Sequence, residues 1–130
     1  MSKRRFGLVS VLFLVLAVMV CTVGAAFAAL PPAATLTAPT GTIYDTTPTY
    51  TWNRVPTSTW YYLWVDDSTG NKIQTWYTAS QAGCAGGTGT CSVTPGTVLA
   101  KGAGTWWIQT WNDLGYGPWS AGMAFTVSGL

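Results

Sequence analysis

The chain has 130 residues, with six Lys and Arg, four Asp, no Glu and no His; charged residues make up 8% of it and aromatic ones 14%. Lys3, Arg4 and Arg5 are half of the cations, so the remainder sets Arg54, Lys72 and Lys101 against Asp45, Asp66, Asp67 and Asp113, a net charge of −1. This excludes a basic patch for nucleic acid or anionic lipid, and it leaves general acid–base work to four carboxylates.

A short basic segment and an uncharged apolar run from Phe6 to Ala29 have the form of a secretory signal. Ala26-Phe27-Ala28 fits the small-residue cleavage rule, so cleavage is expected after Ala28, giving a secreted, extracellular or periplasmic chain. The run is also long enough to stay as a membrane anchor. A lipid anchor on Cys21 is disfavoured because Val18-Met19-Val20 lacks small residues. Residues 1–28 are thus expected as signal, 29–38 as an extended Pro-, Ala- and Thr-rich leader, and 39–128 as one domain.

Beyond the leader, apolar and aromatic residues recur with period two between Gly, Pro, Asn and Asp. Strands are expected over 47–55, 59–67, 72–79, 91–95, 103–112 and 119–127, with a turn at 68–71 and another at 113–118. Together with an edge strand at the leader, that gives about seven. No segment has a 3.6-residue apolar period, and the Thr, Val, Trp and Tyr content favours strands. The expected fold is all-β, a seven-stranded antiparallel sandwich. Cys84 and Cys91, separated by the six residues "AGGTGT", read as a local disulfide in an exported chain. It would pin a Gly-rich loop and contribute about 2–3 kcal/mol. A metal site is the rival reading of the pair, with no His to support it.

"YTWNRVPTSTWYYLWV" (50–65) and "GTWWIQTWNDLGYGPWS" (104–120) resemble the B–C region and the F–G region of fibronectin type III and related Ig-like domains of bacterial secreted proteins. The resemblance spans most of residues 38–127. It implies a fibronectin type III-like sandwich with Tyr61, Leu63 and Val65 inside and with strands 59–67 and 103–112 as neighbours. It implies little about activity, since such domains serve as spacers, adhesin parts and binding modules. The chain departs from that pattern in carrying Trp where small or polar residues are usual, and in its Cys pair.

Alternation then sorts the rings. With Leu63 and Val65 inward, Trp60, Tyr62 and Trp64 point outward. With Ile108 inward, Trp107, Gln109 and Trp111 point outward, and Trp76 extends the set because Ile73 and Tyr77 take the inner face. Tyr50, Trp52 and Phe125 belong to the core. Each ring has roughly 150–250 Å² to bury, so the outward set could form a patch as large as any on an ordinary monomer. Three covers fit it: a carbohydrate stacked on the indoles, with Gln109, Asn112 and nearby Asp as hydrogen-bonding groups; a protein partner or second copy; or neighbouring rings of the same sheet. The favoured expectation is a non-enzymatic module binding polysaccharide or glycan through Trp60, Tyr62, Trp64, Trp76, Trp107, Gln109 and Trp111. The alternative is a structural or adhesive module whose aromatic face meets protein. No cofactor, no metal, no nucleic-acid partner and no membrane contact beyond the signal are expected. "DDSTGN" (66–71) offers oxygens for a weak Ca²⁺ but reads more simply as a hairpin turn.

Overall fold

The computed structural model describes residues 28–86 and 89–129. The expected signal segment lies almost wholly outside these residues. Nine strands and no helix occur among the described residues: β1 (Leu36–Ala38), β2 (Gly41–Ile43), β3 (Tyr50–Asn53), β4 (Trp60–Asp67), β5 (Gly70–Thr78), β6 (Thr90–Val93), β7 (Gly102–Asn112), β8 (Gly115–Trp119) and β9 (Met123–Val127). They form two sheets in a sandwich-like arrangement. The smaller has the order β1-β3-β6; the larger runs β2-β9-β7-β4-β5, with β8 also pairing β7.

Nine strands rather than seven follow from three short segments that alternation cannot resolve. The chain changes sheet between β1 and β2, at the cis Ala38–Pro39 bond. This leaves β2 parallel to β9 while the other pairings are antiparallel. The expected turn 113–118 instead holds most of β8, and the expected closing strand 119–127 shortens to β9. β8 and β9 share one edge of β7, β9 along Gly102–Trp106 and β8 along Gln109–Asn112.

The core lies between the sheets. Tyr61, Leu63 and Val65 of β4 and Trp106, Ile108 and Thr110 of β7 are fully buried, as are Trp52 and, nearly so, Tyr50 and Phe125. Rings tile this space edge-on: Tyr50 against Trp106 at 5.3 Å, Trp52 against Tyr61 at 5.3 Å and Trp52 against Trp106 at 6.5 Å. Such pairs contribute about 0.5–1.5 kcal/mol each beyond area burial. Polar ends inside are mostly matched. Trp106 Nε1 donates to Pro39 O at 3.0 Å. The Tyr61 hydroxyl accepts from Val55 N and donates to Val55 O, fixing the bend before Pro56. Burial pushes the Tyr50 hydroxyl well above the ordinary phenol range, with Tyr77 and Asp67 adding to the shift.

The leader stretch is part of this architecture. Thr110 Oγ1 donates to Pro32 O and Asn112 Nδ2 to Ala29 O, both at 2.9 Å. Pro31 is buried beside them, over Gly117, where a Cβ would run into both Thr110 Oγ1 and the Pro31 carbonyl. Residues 29–34 thus close one end of the sandwich. At the other flank Cys84 and Cys91 form the expected disulfide, with both residues fully buried.

Candidate aromatic binding face

The outer face of the larger sheet is built from one register. β4 and β7 pair antiparallel, with Trp60 opposite Trp111, Tyr62 opposite Gln109 and Trp64 opposite Trp107. On its other edge β4 pairs with β5, with Tyr62 opposite Trp76. Directly opposed residues share a face, so the side chains expected outside come together there. Each inward neighbour is buried, so the alternation holds along both strands.

Two further rings join them from β8. Trp111 pairs with Tyr116, but the register then slips, and Gln109 pairs with Trp119 instead of Pro118. Pro118 has no N–H to give the ladder, and a bulge is where a strand tolerates proline. The slip by one residue turns Trp119 from the inner face to the outer one. It also points Ser120 inward, where its Oγ accepts from Ile108 N at 3.0 Å. Simple alternation hides this; the Gly117-Pro118 pair was the available signal.

The rings are not spread as a flat patch. Tyr62 stacks on Trp76, with centroids 4.7 Å apart and planes 18° from parallel. Trp119 leans on Tyr62 at 5.8 Å and on Trp64 at 6.3 Å, and Tyr116 reaches Trp76 at 6.1 Å. These contacts make a central ridge of Tyr62 and Trp119 with a cleft on either side. The first cleft, about 430 Å³, is walled by Trp60, Trp76, Trp111 and Tyr116. The second, about 310 Å³, is walled by Trp64, Trp107, Trp119 and Ser120. Trp107 packs against Gly122, where a Cβ would meet its Nε1 at 2.6 Å.

The polar groups differ in part from expectation. Gln109 lies under the ridge and donates from Nε2 to Gly117 O at 3.3 Å; it walls neither cleft. Asn112 is on the inner face, donating to Ala29 O and Thr57 O, and is corrected from a binding group to a structural one. In its place a polar rim stands at the Trp64 end. Trp64 Nε1 donates to Asp66 Oδ1 at 2.9 Å, Asn71 Nδ2 donates to the same oxygen at 3.0 Å, and Gln74 Nε2 donates to Asn71 Oδ1 at 2.8 Å. The adjacent Asp67 points inward. It accepts from Thr69 N, Thr69 Oγ1 and Ala100 N at 2.7–2.8 Å, the work of a turn clamp. Among the described residues no three His, Cys, Asp or Glu side chains converge as metal ligands would.

No family model matches the chain, and no curated protein matches it. Among solved structures it is similar to the chitinase ChiW from Paenibacillus sp. str. FPU-7, a bacterial cell-surface-expressed multi-modular enzyme, at 15% identity and a TM-score of 0.49. The match covers 82% of this chain and 9% of that one.

Proposed function

We propose that this chain is an exported, non-enzymatic module of fibronectin type III-like type whose outer aromatic face binds carbohydrate. The observation that carries the reading is the pair of open clefts walled almost wholly by indole and phenol rings. Sites of this composition, mainly aromatic with a few placed polar groups, suit small organic rings. The flat faces of Trp60, Trp111, Trp64 and Trp107 offer stacking surface, and Asp66, Asn71 and Gln74 offer acceptors and donors to hydroxyls at one end. The strand order supports the fold assignment, with β4 and β7 as central neighbours and the Trp52-bearing β3 in the facing sheet. The buried disulfide supports export, since such bonds persist in oxidising compartments. A binding role fits the carboxylates too, because none of the four Asp lines either cleft.

The test is a pull-down on a panel of insoluble polysaccharides, with tryptophan fluorescence followed in soluble titrations. Trp60→Ala or Trp107→Ala is expected to weaken retention about tenfold or more while leaving the circular dichroism spectrum in place. Burial of roughly 100 Å² of ring at 25 cal/mol/Å² is about 2.5 kcal/mol, above the roughly 1.4 kcal/mol of a tenfold change. Unfolding by these substitutions, or no retention on any polysaccharide, contradicts the reading. Contact with another protein chain is the second reading, favoured by β5, a nine-residue strand that among the described residues is paired on one side only; free strand edges invite pairing. Light scattering over a concentration series distinguishes it, since self-association through that edge raises the mass.

A further inference from the structure

We infer that the two clefts are linked subsites for one uncharged polysaccharide chain, lying along the strands and crossing the Tyr62–Trp119 ridge at an internal stretch of the polymer. The inference rests on the carbohydrate reading above and adds the length, direction and charge of what is bound.

Geometry sets the direction. Trp60 and Trp64 are four residues apart on β4, as are Trp107 and Trp111 on β7, and the register sets Trp60 beside Trp111 and Trp64 beside Trp107. At a rise of roughly 3.4 Å per residue the two aromatic pairs are about 14 Å apart along the strand direction. Both clefts therefore lie on one line over β4 and β7, and the ridge between them is aromatic as well. Trp119, at its crest, is 42% exposed. A single cleft of 310 or 430 Å³ is at the small end of ligand sites. A chain engaging both gains from effective concentration, because the second contact is intramolecular once the first is made.

Charge narrows the class. No charged side chain walls either cleft. The one carboxylate at the rim, Asp66, is engaged by Trp64 and Asn71, and none of Arg54, Lys72 and Lys101 is a cleft residue. A uronate or sulfated polymer would bring anions into clefts whose walls carry no cation. Trp60, Tyr116 and Trp119 are 38%, 61% and 42% exposed and the other five rings are half-buried. Even at roughly 250 Å² per ring, their combined exposure does not exceed the roughly 800 Å² that one partner of a standard protein interface buries.

The experiment is calorimetric titration of the full chain with oligomers of two and of six units from β-1,4-glucan, xylan, mannan and β-1,4-N-acetylglucosamine polymer, with oligogalacturonate as the charged probe. At least one uncharged series is expected to bind at least tenfold more tightly as hexamer than as dimer, with oligogalacturonate weaker than any binding uncharged hexamer. Trp60→Ala in the first cleft and Trp107→Ala in the second should each bring the hexamer to within about threefold of the dimer. Equal affinity for dimer and hexamer overturns the inference while leaving carbohydrate binding standing, and that comparison needs no variant. A hexamer indifferent to either substitution, or oligogalacturonate bound as well as the uncharged hexamers, overturns it too. Silence from every series removes the carbohydrate reading and this inference with it.

Discussion

Asp66 and Asp67 are neighbours with opposite tasks, because successive side chains of a strand face opposite ways. Asp66 faces out and orients the Trp64 indole. Asp67 faces in and ties the β4–β5 turn to the segment before β7 through Thr69 and Ala100. Burial alone would raise the Asp67 carboxyl pKa, but the hydrogen bonds from Ala100 N and Thr69 outweigh it and hold the group below the ordinary carboxylate range, with the Lys72 charge assisting. A folded-state pKa that is lowered gives stability that is full above the unfolded value and lost as pH falls through the folded one. The unfolded value is near 4 (about 3.9 for Asp). Asp67→Asn should therefore cost on the order of 1–3 kcal/mol at pH 7, and the gap to the parent should close below about pH 4. Urea denaturation at pH 7 and pH 3 checks this; an equal gap at both pH values contradicts it.

At the scale of elements, the long strands were legible and the short ones were not. β4 and β7 carry Leu63, Val65 and Ile108, apolar residues that define an inner face without ambiguity, so parity followed for every ring on them. β1 and β2 are three residues each, "LTA" and "GTI", too short for a period and recognisable only by their partners. β8 was missed for a different reason. Its sequence "GYGPW" looks like turn chemistry, and the slip at Gly117-Pro118 inverts the parity that alternation would assign to Trp119. Thus the face was readable, but its division into two clefts by a ridge was not. The Asn112 misplacement has a different root: it is even-numbered on β7, hence inward, and parity should have outranked its polarity. The leader clasp also depends on a detail no pattern shows, the missing Cβ of Gly117 under Pro31. Gly117→Ala is expected to cost about 1–3 kcal/mol through overpacking, a fall in Tm of several degrees for a domain of this size. Gly96→Ala, with nothing within 4 Å of the new Cβ, is the matched control and should leave Tm within about 2 °C. Similar Tm values for the two variants would contradict the clasp.

At the scale of the whole molecule, the eight Trp divide into two populations with separate duties. Trp52 and Trp106 are fully buried between the sheets and serve the fold. Trp60, Trp64, Trp76, Trp107, Trp111 and Trp119 stand on one outer face and are the proposed binding set. The core lies on one side of the larger sheet, and the proposed binding face lies on the other. The most direct measurement is the indole N–H region of a proton–nitrogen correlation spectrum, recorded while the protein is titrated with the tightest-binding hexamer of the series above. The account predicts that signals of the six outer indoles move, those of Trp60, Trp111, Trp64 and Trp107 foremost, while Trp52 and Trp106 stay in place. Movement confined to Trp52 and Trp106, or a bound ligand that leaves the outer six unmoved, would contradict it.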